Sequence, residues 1–413
     1  MKNLYLISIS LLSVMQLLAQ GPEITSWIRN TTSATGYNSL PSNVQIVQYT
    51  ATDVYVSSSC IPGYNIGPWA SNPNIPINQS FVSKFTRNPI KNTGTLTNTA
   101  LGNIGIWSNG VSIYNPKDGQ YWNNATSSFS QGTTTNGWNR NALYYEGLSF
   151  DNCLGHPGPN GAYHHHVNPK CLYDATLTSV HSPIIGYAFD GFPIYGAYGY
   201  TNVDGTGAIK RMASSYVLSS ASSRASGPPV NSNYPQGSMC EDYVFTQGAG
   251  DLDEHNGRFC KTPEYPNGIY AYFVTIDANL YPVYPFVIGP TYYGTVQSGN
   301  TGPTGGHNTI PGSTTIYSPA VIAGIDVLEN TEIKCQIMPN PTVDYAYIYM
   351  DASSINNVVG NLYNIKGELI QNIPFLQPTI GYTLDLTNVS NGTYFLTLEV
   401  GSKKTTYQIV KPR

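Results

Sequence analysis

Short strand-like runs separated by turn signals recur along the chain. Ile104-Gly105-Ile106-Trp107 and Val111-Ser112-Ile113-Tyr114 flank Asn109-Gly110. An Asn-Gly dipeptide between two such runs predicts a hairpin closed by a tight turn. Pro266-Asn267-Gly268 introduces Ile269-Tyr270-Ala271-Tyr272-Phe273-Val274-Thr275-Ile276, a β-branched and aromatic run that predicts a strand. No window sustains a 3.6-residue apolar period, so no long helices are expected. Toward the C-terminus the runs shorten and alternate. Tyr345-Ala346-Tyr347-Ile348-Tyr349-Met350 and Tyr394-Phe395-Leu396-Thr397-Leu398-Glu399-Val400 are accompanied by turns at Lys366-Gly367, Asn391-Gly392 and Gly401-Ser402. About seven strands in roughly 80 residues predict a small antiparallel β-sandwich. The fold class is therefore mainly β: a Tyr/Gly-rich β domain followed by that sandwich.

Composition narrows this further. Charged residues are 10% of the 413-residue chain, Tyr numbers 33, Gly 40 and Pro 29. Helical bundles and coiled coils, rich in Ala, Glu, Lys and Leu, are excluded by that balance. A net charge of −4 with no basic stripe argues against nucleic-acid binding. With 40% apolar and 12% aromatic residues, the chain has material for a sizeable core.

Four segments follow. Residues 1–19 predict a secretory signal peptide: Met1-Lys2-Asn3, an apolar stretch from Leu4 to Leu18, and Ala19 before Gln20-Gly21-Pro22. The apolar stretch is about 15 residues where a span needs about 20. No other run approaches that length, so no transmembrane segment is expected in the mature chain. Residues 22–295 form the Tyr/Gly-rich β domain. Residues 296–329, with Ser298-Gly299-Asn300-Thr301-Gly302-Pro303-Thr304-Gly305-Gly306, predict a flexible or extended linker, in which His307 is expected to be solvated. Residues 330–413 form the sandwich.

Export permits disulfides. Local spacing suggests Cys153–Cys171 and Cys240–Cys260, each closing a loop that stabilises by about 3 kcal/mol. Cys60 and Cys335 are left over. No C-x-x-C spacing suits a cysteine zinc site.

The C-terminal segment resembles a known family. Met338-Pro339-Asn340-Pro341, Leu362-Tyr363-Asn364-Ile365-Lys366-Gly367, Leu384-Asp385-Leu386, Asn391-Gly392-Thr393-Tyr394 and the closing Lys403–Lys411 run look like the type A C-terminal sorting domain of the type IX secretion system. That family usually has an aromatic where Met338 stands. The resemblance implies a Gram-negative Bacteroidota protein that engages the type IX machinery and reaches the medium or the outer-membrane surface, its tail normally removed. It also implies that Cys335 is not bonded to the main domain, which would tether a segment due to be cut away.

The chemistry concentrates between 147 and 200, where five of the seven histidines lie between 156 and 181. Phe150 to Gly161 is a Gly/Pro loop, and Ala162-Tyr163-His164-His165-His166-Val167 reads as a strand. Residues i and i+2 share a strand face. His164 and His166 therefore project together, with Tyr163 and His165 opposite. Two adjacent imidazoles repel when protonated and become favourable when neutral and sharing a cation. A third ligand from His156 or His181 would complete a site suited to copper or zinc. Tyr163 or Asp190 would stand behind it. The alternative is that these histidines pack among Tyr rings and bond to backbone. A second polar cluster, Asp251 to Cys260, brings Asp253, Glu254, His255 and Arg258. Its spacing fails the EF-hand pattern. It either supports the histidine site, with Arg258 orienting a carboxylate, or is a turn locked by an Arg258–carboxylate pair.

The main domain also resembles a family. Gly161-Ala162-Tyr163-His164-His165-His166, the run from His181 to Gly196, and Leu252 to Arg258 with Thr262-Pro263-Glu264-Tyr265-Pro266 look like the YHYH domain family over roughly 100 to 290. His165 stands where the motif has its second Tyr, which leaves the His pair intact. The resemblance implies a secreted or surface β-rich domain and carries no activity. There is no Gly-x-Ser-x-Gly elbow, His-Glu-x-x-His or phosphate loop. Three classes stay open: a metal-assisted hydrolase or oxidase on His164 and His166, a non-catalytic module binding glycan or protein, and an adhesive exoprotein.

Overall fold

A computed structural model describes residues 20–302, 305–318, 335–350, 358–374, 382–400 and 403–412. The signal-peptide reading of residues 1–19 lies outside the described residues, as does the linker between 319 and 329. The chain is mainly β, and the longest helix among the described residues is the five-residue Ala142–Glu146.

An eight-stranded mixed sheet carries the site. Its order is Gly257–Cys260, Ile269–Phe273, Pro193–Tyr195, Ile184–Ala188, Asn103–Trp107, Ser112–Tyr114, Tyr163–His165, His156–Pro157. Two pairings are parallel, Pro193–Tyr195 with Ile269–Phe273 and Ser112–Tyr114 with Tyr163–His165. Ile184–Ala188 is buried at every position, which explains its continuous apolar run. The predicted hairpin forms, with Gly105 opposite Ile113 and Ile106 opposite Ser112. Gly110 closes it at φ +80, its N–H donating to the Trp107 carbonyl at 2.7 Å. A Cβ there would lie 2.4 Å from Ser58 Cβ, so the turn requires glycine on both conformational and steric grounds.

A four-stranded antiparallel sheet, Thr315–Ile316, Val44–Tyr49, Asp53–Ser58, Phe81–Thr86, packs against the first. Trp27, Phe85 and Tyr187 join the two layers, with ring centroids 5.1–6.0 Å apart. Within the segment read as a flexible or extended linker, residues 296–302 and 305–318 are described, and several of them are bonded to the domain. Thr315–Ile316 pairs with Val44–Tyr49. Asn300 Oδ1 accepts from the Lys84 N–H at 2.9 Å, and Asn308 Nδ2 donates to the Val82 carbonyl at 2.8 Å. Asparagine side chains supply the sheet partners that a Gly/Thr-rich backbone run does not advertise. His307 is exposed, as expected, with its ring 5.4 Å from Phe81.

The C-terminal segment forms two antiparallel sheets among the described residues. One has the order Cys335–Met338, Tyr345–Met350, Tyr382–Asp385. The other runs Leu369–Pro374, Val359–Asn364, Gly392–Val400, Lys403–Lys411. Alternation puts Ala346, Ile348, Leu362, Leu384, Leu396 and Leu398 into their shared core. The predicted turn at Gly401-Ser402 lies outside the described residues.

Of the two expected disulfides, Cys153–Cys171 forms. Cys240–Cys260 does not, and both thiols are free and buried. Cys240 sits in a turn with its Sγ 3.6 Å from the carbonyls of Pro116 and Arg140. Cys260 belongs to the edge strand of the large sheet, opposite Ile269. Proximity along the chain placed them together, whereas the sheet assigns them different neighbours. Cys60 is also buried and free, its Sγ donating to the Tyr163 carbonyl at 3.1 Å.

Candidate metal centre

The outer two strands of the large sheet bring three histidines together. Tyr163–His165 pairs with His156–Pro157 so that His164 lies opposite His156. His166 follows on the same face as His164, as strand alternation predicts. The His164 and His166 rings are 4.9 Å apart, and His156 lies 4.6 Å from His164 and 5.7 Å from His166. All three are buried, and one nitrogen from each falls within 4.8 Å of the others. Tyr114 stacks on His164 at 3.8 Å, and Phe150 lies parallel to His166 at 6.1 Å and edge-on to His156.

Hydrogen bonding fixes the tautomers. A carbonyl oxygen only accepts, so a ring nitrogen facing one must carry the proton. His164 Nδ1 donates to the Ala162 carbonyl at 3.0 Å. His166 Nδ1 donates to the Asn115 carbonyl at 2.5 Å. Ser149 Oγ donates its single proton to the Glu146 carbonyl at 2.8 Å, which leaves it to accept from His156 Nδ1 at 2.7 Å. In the neutral rings every Nε2 is therefore a lone pair. Those of His164 and His166 face each other at 3.1 Å, and that of His156 has no hydrogen-bond partner. This is the outer hydrogen-bonding arrangement that orients histidines on a metal.

Burial disfavours the protonated form of His156 and His164. This burial, then the neighbouring His166, pushes the His156 pKa down to about 4 against the pull of Glu146. Burial, followed by the neighbouring histidines, holds His164 well below the usual histidine range.

Glu146, absent from the sequence reading, completes the group. Its Oε2 lies 3.3 Å from His166 Nε2 and 3.8 Å from His156 Nε2 and takes no hydrogen bond. Burial alone would raise its carboxyl; His166, His156 and Arg140 outweigh that and leave it lowered. The short helix that ends in Glu146 is set by Asn141, whose side chain accepts from the Leu143 N–H at 3.1 Å as an N-cap. One sequence signal was available: Glu146 is the only acid between Asp118 and Asp151.

The remaining expected site residues lie elsewhere. His181 is corrected as a ligand: its Nδ1 faces the Ser182 carbonyl at 2.8 Å, and its ring packs against Tyr195, Tyr200 and Phe273. Burial pushes its pKa down to about 4. Its carbonyl also accepts from Tyr347 of the C-terminal sandwich at 3.0 Å. Tyr163 and His165 occupy the opposite face, where the Tyr163 hydroxyl donates to Asp151 at 2.9 Å. Asp190 accepts from the Tyr272 hydroxyl at 2.6 Å and the Gly294 N–H at 2.9 Å, pinning a loop. Asp253 accepts from Tyr270 at 2.8 Å and from the N–H of His255 at 2.9 Å. Glu254 is half exposed near His255, whose Nδ1 meets Thr291. Arg258 lies over Phe273 and donates to the Tyr200 carbonyl. The 251–260 cluster is thus a structural turn, although no Arg258–carboxylate pair locks it.

The Cys153–Cys171 bridge spans 18 residues and encloses His156, His164 and His166. Replacing both cysteines by Ser is expected to lower stability by about 3 kcal/mol. Denaturant titration of the double variant checks this, and a loss under about 1 kcal/mol would contradict it.

These features define a class: a β protein with a buried histidine cluster on the edge of a mixed sheet, extended by a small C-terminal sandwich. Residues 82–285 match the family model described as YHYH protein, and residues 336–412 match that of the secretion system C-terminal sorting domain. The chain thus carries a YHYH domain followed by a type IX sorting domain. No curated protein and no solved structure matches it. The sorting domain implies interaction with the type IX secretion system, and with it secretion or attachment at the outer-membrane surface. Among the described residues no helix is long and apolar enough to cross a membrane.

Proposed function

We propose that the YHYH domain of this exported Bacteroidota protein holds one zinc or copper ion on His156, His164 and His166. One observation carries the reading. Three imidazoles, each with Nδ1–H committed to an oxygen, turn their Nε2 lone pairs toward one another inside the protein. A proton on His166 Nε2 would pair with His164 or with Glu146 Oε2 and leave His156 Nε2 unmatched. A single cation satisfies all of them. Imidazole nitrogens suit zinc and copper, and the covalent loop around the ligands holds them in place. Domain limits of 22–295 and 330–413 and a cleaved signal at residues 1–19 belong to the same reading.

The test is element analysis of the disulfide-intact chain beside H164A and H166A. About one equivalent of zinc or copper in the parent and its loss in both variants is the expected result. Metal-free parent protein at micromolar supply would end the reading and favour the non-catalytic surface module, for which a glycan array is the direct assay.

A further inference from the structure

We infer that Glu146 is the fourth and exchangeable ligand of this centre, making it a tetrahedral three-histidine, one-carboxylate site that takes Zn²⁺ in preference to copper. The inference rests on the three-histidine reading and adds a donor, a geometry and a point of entry to it.

Distances carry the first step. Four donors about 2.0–2.1 Å from a tetrahedral ion stand about 3.3 Å from one another. The spacings here are 3.1 Å for His164–His166, 3.3 Å for Glu146–His166 and 3.8 Å for Glu146–His156. These three edges are near that length, the histidine nitrogens lie within 4.8 Å of one another, and Glu146 must turn toward His164 to close the tetrahedron. A three-imidazole, one-carboxylate donor set with spacings near a tetrahedral edge suits zinc.

Exposure carries the second step. The side chains of His156 and His166 are 6% and 4% exposed, against 29% for Glu146. The histidines are also tethered at Nδ1, while Glu146 Oε2 has no hydrogen bond holding it. Oε2 itself is buried, so the exposed remainder of the Glu146 side chain marks the way in, and the untethered carboxylate is the donor a small anion displaces most readily. A protein carboxylate replaced by a small anion leaves the charge on the ion unchanged, so anions or carboxylate-bearing molecules are the expected ligand class.

The experiment uses the full chain loaded with Zn²⁺ or Co²⁺, as parent, E146Q and E146D. Zn²⁺ affinity, read by competition with a chromophoric chelator, is expected to fall at least about tenfold in E146Q. Copper is expected to lose less than zinc. The Co²⁺ visible spectrum of the parent should respond to azide, with half-saturation at least about tenfold lower in E146Q, where no carboxylate competes. E146D keeps the charge on a shorter arm and should fall between the two; it gives the same answer if E146Q is poorly recovered. Equal affinity and equal azide response in parent and variants would overturn the role of Glu146 and leave the histidine centre standing. A parent that binds neither metal would overturn the centre itself.

Discussion

Zinc is expected to raise the unfolding free energy of the main domain by about 4 kcal/mol when free metal stands at about a thousand times its dissociation constant. The gain comes from binding the native state alone. His156, His164 and His166 are neighbours only because two strands pair with His164 opposite His156. In the unfolded chain the Cys153–Cys171 loop keeps these rings within reach of one another, but nothing fixes their arrangement or their tautomers. Within the native domain the three Nδ1 atoms are already committed to Ser149, Ala162 and Asn115, so little ordering is left to be done on binding. All five tryptophans, at 27, 69, 107, 122 and 138, lie in the main domain. Denaturant titration followed by tryptophan fluorescence of the full chain therefore reads this domain. The double variant H164A/H166A should show no gain with zinc. An equal gain in the double variant would place the metal elsewhere.

The second large effect concerns stability alone. Arg224→Ala is expected to cost about 3–5 kcal/mol in the same assay. Arg224 grips Asp242 through two bonds, Nε to Oδ1 at 2.6 Å and Nη2 to Oδ2 at 2.8 Å. Both side chains are 1% exposed. The guanidinium also donates to the carbonyls of Pro228, Tyr234 and Pro235 at 3.2, 3.0 and 2.7 Å, which folds the loop around it. Removing it strands the Asp242 charge out of water and frees several carbonyls at once. Arg224→Lys should recover little, because an ammonium cannot fork to two oxygens while reaching the carbonyls. A loss below about 1 kcal/mol for the alanine variant would show that water enters and replaces the guanidinium.

How much was legible follows the range of the interaction. The Asn109-Gly110 hairpin, the Ile269 strand and the alternating C-terminal strands were readable because each depends on neighbours a few residues apart. The His164–His166 pair was readable for the same reason, since strand alternation alone puts i and i+2 on one side. The third histidine of the cluster was not. His156 and His181 flank the pair on either side in sequence, and only strand pairing chooses His156. Glu146 stands one residue before the histidine-dense stretch, on a short helix with no periodic signal to mark its direction.

From its sequence alone, this chain was determined to be a mainly β protein with a YHYH-like domain, a sorting sandwich and an adjacent histidine pair. These follow from composition, local periodicity and short motifs, whose physics is confined to a few bonds along the backbone. The tertiary structure decided which histidine joins the pair, that a carboxylate approaches it, which cysteines stay apart, and that Thr315–Ile316 of the expected linker pairs with a strand. Those outcomes depend on which distant segments pack together, and burial and hydrogen bonding settle that only when the whole core forms.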